Sequence, residues 1–330
     1  MTPAIEKKCY HISYGNIAYL ETGSADQPPV LFVHGIPTSS YLWRHVLRFL
    51  QNDFHCYAPD LMGLGDTEVD PARTAFDMET QAEMLVELMA AMGHETFGLV
   101  CHDQGGAAAQ IIAARMPDRV RCLVLTDCVC YDNWPVPLVR QMQRVAAVPA
   151  LSDLLGGTGF TEWLSTHQSL IGFRKGVYDP RRMSAESIRE YLRPLREGPI
   201  ERERFRQFVL AGAPRYTELA VEGLRQFDKP TLVVWAGDDY YLSPSWGRKL
   251  FEDIPGAERF EIVPFCGHFW QEERPSEYSS IIGTFLAEHL LGRKVGPQVV
   301  KTPPVIAGTM GGQGKPDPPV IDAPARESGA

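Results

Sequence analysis

The chain of 330 residues is 44% hydrophobic and 22% charged, with a formal net charge of −9. That is the make-up of a globular protein with one large domain or a domain carrying an insert. The acidic balance and the lack of a basic tract argue against nucleic-acid and polybasic membrane partners, and no apolar run reaches the roughly 20 residues of a membrane helix.

Residues 1–10 are too polar for a signal peptide. The seven cysteines have no zinc-type spacing and read as reduced thiols. Both features lead us to expect a cytoplasmic protein. The composition sets no oligomeric state.

In chain order, the first predicted strand is residues 30–33. It ends in His34-Gly35-Ile36-Pro37-Thr38-Ser39-Ser40-Tyr41-Leu42-Trp43-Arg44. Gly and Pro around one residue fix a tight loop that can aim the backbone N–H of Ile36 at a neighbouring site. A second strand is expected at 56–58. Gly63-Leu64-Gly65-Asp66 follows it and lacks the Gly-Lys-Ser/Thr ending of a phosphate loop. A helix is predicted over 78–92.

The strand at 97–100 leads into Val100-Cys101-His102-Asp103-Gln104-Gly105-Gly106 and an Ala-rich helix over 104–115. Strand, tight turn through a polar residue, small residues and helix form the layout of a nucleophile elbow. The residue at its tip is Asp103 rather than Ser. A carboxylate is poorly suited to acyl transfer, because the product would be an anhydride. It suits displacement at an sp³ carbon, where the product is an ester that water can cleave. The N–H groups of Ile36 and Gln104 would form the oxyanion hole for that cleavage.

A strand at 122–125 is followed by Asp127. The strand–helix alternation then breaks over 133–224, where a glycine-rich break (Gly156, Gly157, Gly159) precedes Arg-rich helical segments (184–196 and 200–210). This stretch reads as a helical insert over the carboxyl edge of the sheet, where ligands bind in open α/β folds. Alternation resumes with strands at 232–235 and 260–263 and a helix at 276–290. Several strands are apolar throughout, as in a parallel sheet covered on both faces. Met142 and Met183 could line a pocket, although core packing is the plainer reading.

His268, in Pro264-Phe265-Cys266-Gly267-His268, follows the last strand and is the expected general base. The acid that orients it is expected to be Asp239, in Gly237-Asp238-Asp239-Tyr240-Tyr241. Asp127 is the competing position, and Asp238 is a close neighbour. Residues 295–330 hold seven Pro and six Gly. We expect this tail to be disordered, because it has too little apolar surface to offset the entropy of ordering.

Taken together, these motifs resemble the α/β-hydrolase superfamily over roughly residues 10–293, and within it the branch with an Asp nucleophile: haloalkane dehalogenases and epoxide hydrolases. The resemblance implies an α/β-hydrolase fold, a mostly parallel doubly wound sheet with a helical cap inserted before the penultimate strands. Core would span 1–132 and 225–294, cap 133–224 and tail 295–330. It implies a hydrolase that needs no cofactor or metal, takes a small, largely apolar molecule and water, and passes through an aspartyl ester. Another hydrolase or lyase of this fold, or a small-molecule receptor that kept it, are the alternatives; intact Asp103, His268 and Asp239 argue against the receptor.

Residues 34–44 look most like the dehalogenase stretch HGNPTSSYLWR. Ile36 stands where one subgroup has a halide-holding Asn, and Gln104 where the branch usually has Trp. Replacement donors would come from the indole N–H groups of Trp163 or Trp134 or from the Gln104 amide. Epoxide hydrolases instead use two lid tyrosines. Here Tyr178, Tyr191 and Tyr216 are available, with Tyr216 near the family's interval. Fluoroacetate dehalogenases resemble the chain less, since Gln104 and Ala107 leave no Arg clamp after the nucleophile.

Overall fold

The computed structural model describes residues 5–167 and 172–293. Eight strands form one sheet: β1 (Lys7–Ile12), β2 (Gly15–Thr22), β3 (Pro29–Val33), β4 (His55–Pro59), β5 (Phe97–Asp103), β6 (Val120–Cys128), β7 (Thr231–Ala236) and β8 (Ala257–Val263). The order is β1-β2-β4-β3-β5-β6-β7-β8. β1 and β2 pair antiparallel with each other, and β2 pairs antiparallel with β4; the other pairings are parallel. All six predicted strands lie within β3–β8. β1 and β2 are additions. β1 is an edge strand whose side chains are mostly exposed, so it carries no burial pattern to read.

The central strands are buried and largely apolar because each face has its own core. Leu99 and Cys101 of β5 join one core with helices α2 (Met78–Ala91) and α3 (Gly105–Arg115); Val100 between them joins the other. That second core is closed by α1 (Arg44–Leu50) and α13 (Pro275–Leu290). Alternation of side chains across the strand makes this division automatic.

Between β6 and β7 lie α4 (Pro137–Ala146), α5 (Pro149–Gly157), α6 (Phe160–His167), α7 (Ala185–Leu192), α8 (Pro194–Glu197), α9 (Pro199–Ala211) and α10 (Arg215–Leu224). The last of these differs from its neighbours. α10 packs on α3, so closely that a Cβ on Gly223 would sit 2.5 Å from that of Ala114. α11 (Pro244–Asp253) and α12 (Trp270–Glu273) follow β7 and β8.

Two acids of α12 tie the inserted helices to the sheet. Glu272 receives both Arg44 nitrogens at 2.6 and 2.8 Å, with Ser187 and the Tyr191 hydroxyl of α7. Glu273 accepts the N–H groups of Tyr178 and Asp179 and also that of Gly267.

Among the described residues, no helix is long and apolar enough to cross a membrane. All seven cysteines are unpaired, with Cys9 exposed and six buried. The expected tail, 295–330, lies outside the described residues.

Candidate active site

β5 ends in Asp103 with φ +51°, and α3 starts two residues later. A left-handed residue between strand and helix turns the chain sharply and costs strain that a non-glycine residue rarely bears. It points the carboxylate away from the sheet and beside the positive end of a helix. The loop after β3 meets it. Ile36 N–H donates to Asp103 Oδ1 at 2.7 Å, and the Gln104 N–H also favours the ionised carboxyl. Gly35 makes this approach possible, since a Cβ there would lie 2.2 Å from Oδ1 and 2.5 Å from the Gln104 nitrogen.

His268 stands on the loop after β8. Its Nε2 is 3.5 Å from Asp103 Oδ2 and its Nδ1 is 2.9 Å from Asp239 Oδ2. Asp239 Oδ1 accepts the N–H groups of Tyr241 and Leu242, which fix its loop. His102, stacked against the His268 ring, reaches the His268 carbonyl with Nε2 at 2.9 Å.

Burial opposes the charge on His268, but Asp239 and then Asp103 hold the imidazole well above its ordinary value. Burial pushes the Asp103 carboxyl up; the hydrogen bond and charge of His268 outweigh it and leave the group below its ordinary value. The free site therefore holds a carboxylate beside an imidazolium.

Asp127 is buried 109 residues from its nearest partner in sequence. Its Oδ1 accepts the N–H of Ala236 at 2.8 Å and its Oδ2 the Trp270 indole N–H at 2.6 Å. Both oxygens are thus engaged, with the end of β7 and the start of α12, and it is Asp239 that bonds His268. Burial first, and then the charge of Asp239, hold the Asp127 carboxyl well above its ordinary value.

Asp103 and His268 lie at the base of a cavity of about 320 Å³. Val139, Met142, Leu155, Leu164 and Phe205 from the inserted helices, with Phe269, give it an apolar wall. Met142 thus faces the cavity, whereas Met183 is core. The side chain of Ile36 also lines it.

Four of the expected leaving-group donors are elsewhere. Tyr216 is buried where α10 packs on α3, its hydroxyl 2.5 Å from Arg215. Trp134 gives its indole N–H to Thr217 at 2.7 Å. Trp163 is 52% exposed and stacks on Phe160 and His167. Its helix presents Phe160, Thr161, Leu164 and Ser165 to the cavity, and at helical spacing Trp163 falls on another face. Tyr178 is also 52% exposed, edge-on to Phe265. Tyr191 is committed to Glu272. Among the described residues, the tyrosine that does line the cavity is Tyr241. Its signal in the sequence is its place two residues after the acid.

The sequence profile of the α/β-hydrolase fold matches residues 28–155. The chain has the α/β-hydrolase fold. It is 28% identical over 267 residues to a soluble epoxide hydrolase of Corynebacterium sp. (strain C12), a match covering 78% of the chain and 88% of that protein. It is 26% identical over 288 residues to haloalkane dehalogenase 2 of Mycobacterium bovis, covering 84% and 93%. Among solved structures, an epoxide hydrolase without ligand superposes with a TM-score of 0.69 at 27% identity, covering 86% of this chain and 98% of that one.

Proposed function

We propose that the protein hydrolyses uncharged, largely apolar electrophiles through an ester on Asp103. The observation that carries this reading is the ionised Asp103 carboxylate, 2.7 Å from Ile36 N–H and 3.5 Å from His268 Nε2, at the base of an apolar cavity. Asp103 attacks an sp³ carbon in line with its leaving group and becomes an alkyl ester. The carboxylate charge beside His268 disappears at that moment. With it goes part of what held the imidazole protonated, so His268 sheds its proton and becomes a base.

His268, oriented by Asp239, then takes a proton from water attacking Cγ of Asp103. Ile36 N–H, already on Oδ1, and Gln104 N–H face the oxyanion as it forms. Collapse releases the alcohol and restores carboxylate and imidazolium. Helices α4–α9 act as a cap that keeps bulk water from the ester. Nothing in this sequence calls for a metal or cofactor.

Two electrophile classes fit. The stretch His34 to Arg44 and the dehalogenase relative favour alkyl halides. The apolar side chain at Ile36, and the positions of Trp134 and Trp163 away from the cavity, favour an epoxide oxygen over a halide held by indole or amide N–H groups.

The test is the intact mass of His268→Gln after incubation with bromoalkanes and with terminal epoxides, mapped by peptide. A bare alkyl adduct on Asp103 identifies a dehalogenase, and a hydroxyalkyl adduct an epoxide hydrolase. A folded protein that forms neither adduct refutes the ester mechanism.

A further inference from the structure

We propose that Tyr241 is a catalytic residue, donating its hydroxyl to the leaving group as the carbon is attacked; the assignment rests on the aspartyl-ester reading above. Tyr241 sits between the acid and the cavity. Its backbone N–H donates to Asp239 Oδ1 at 2.8 Å, so the triad acid fixes where its side chain begins. Its ring stands edge-on to the His268 imidazole, with centroids 5.4 Å apart and an interplanar angle of 81°. Tyr241 is also among the residues that line the cavity holding Asp103.

Its hydroxyl donates to the Gly172 carbonyl at 2.6 Å, and Gly172 is itself a cavity residue. A donor already aimed at an oxygen on the cavity wall needs only a change of acceptor to meet a leaving group. The other neutral donors of the described lining, such as Gln141, Thr161 and Ser165, are on the inserted helices. Tyr241 alone comes from the loop that carries the triad acid. Burial, and then the nearby charges of Asp239 and Asp103, keep its phenol protonated well above the ordinary range. It is therefore a donor at neutral pH and not a base.

The chemistry balances for both leaving groups. With an epoxide, an Asp103 oxygen bonds to carbon, the C–O bond breaks, and its electron pair stays on oxygen. The Tyr241 proton passes to that oxygen and leaves a phenolate. Alkylation also makes His268 shed its proton, which returns the phenolate to phenol. Ester hydrolysis then regenerates carboxylate and imidazolium, so epoxide and water give a diol with no net proton change. With a halide, Tyr241 contributes a hydrogen bond only, and the proton from His268 leaves to solvent with the halide.

The test is the rate of adduct formation in single turnover, comparing His268→Gln with the double variant that adds Tyr241→Phe. The substrates are butyl chloride, butyl bromide, butyl iodide and epoxyhexane. The expected result is a loss of roughly 10²-fold with epoxyhexane. The loss should shrink from chloride to bromide to iodide, because a better leaving group needs its donor less.

Equal rates for the two proteins overturn the assignment and leave Asp103 as nucleophile. A loss by one common factor across all four substrates also overturns it, since that is the mark of a packing role. If His268→Gln itself forms no adduct on Asp103, the ester reading fails and the assignment falls with it.

Discussion

At the scale of single residues, the site is governed by charge that moves during turnover. In the free protein Asp103 is held below and His268 well above their ordinary values, each by the other and the latter also by Asp239. Alkylation needs the ionised Asp103 and the Tyr241 phenol, which burial keeps protonated far above neutrality. It should therefore run at constant rate from about pH 5 to 8, falling only as the pH drops through the lowered carboxyl value. Hydrolysis of the ester needs neutral imidazole, so its rate should rise with pH and then level off. Rapid-quench measurement of adduct formation and decay across that range separates the two. A pH-independent decay would remove His268 as the base.

Substitution gives the complementary expectation. Asp239→Asn keeps the size of the group and an acceptor for the Tyr241 and Leu242 N–H groups but loses the charge on Nδ1. Turnover should fall about 10²–10⁴-fold, with the ester accumulating. Asp127→Asn should leave most activity and cost about 1–3 kcal/mol of stability, because Asp127 binds Ala236 N–H and the Trp270 indole. Steady-state rates and thermal melts of the two variants check the ranking, and the reverse order would move the acid to Asp127.

At the scale of elements, the sheet delivers Asp103, Asp239 and His268 at the end of β5 and on the loops after β7 and β8, and α12 couples them to the inserted helices. Glu272 joins Arg44 of the sheet side to Ser187 and Tyr191 of α7. It is almost fully buried, with a side chain 3% exposed. Glu272→Gln leaves the Arg44 guanidinium, 14% exposed, without its counter-charge. Removing one partner of such a pair costs on the order of 3 kcal/mol. We expect a lower Tm and faster hydrogen exchange in α7, with the core helices α2 and α3 protected as before. Uniform exchange loss throughout would show that α7 does not open separately.

The same division explains what could be read from sequence. β3 to β7 and the loops behind the strands were legible because a strand buried on both faces is largely apolar whatever it packs against, and because Gly35 and the Asp103 elbow answer to local geometry; β8, a half-exposed edge strand, showed only its apolar end. The inserted helices were legible as a helical stretch but not in their orientation. Which face of α6 meets the cavity depends on where the helix sits, so Trp163, conspicuous in the sequence, lies outside. Tyr216 has a plausible interval, but α10 packs on α3. Tyr241 stands two residues after the acid, but that it reaches the cavity follows from the turn its backbone N–H makes with Asp239, which the spacing alone does not give.

At the scale of the whole molecule, a chain of net charge −9 has a cavity whose described lining contains three ionisable groups, Asp103, His268 and the Tyr241 phenol, and no Arg or Lys. An anionic substrate would shed its hydration into apolar walls and place a negative group near the Asp103 carboxylate. Two like charges about 4 Å apart repel by about 1–4 kcal/mol between bulk water and a protein surface, and desolvation without a partner adds to that. Bromoacetamide and bromoacetate test this directly, because they are close in size and both carry an activated primary bromide. In His268→Gln, bromoacetamide should alkylate Asp103 at least roughly 100-fold faster than bromoacetate. Peptide mapping must resolve Asp103 from Cys9, the exposed thiol, which will also react with both reagents. Equal rates at Asp103 would mean that a cationic group reaches the cavity, and the substrate class would then extend to electrophiles bearing a carboxylate.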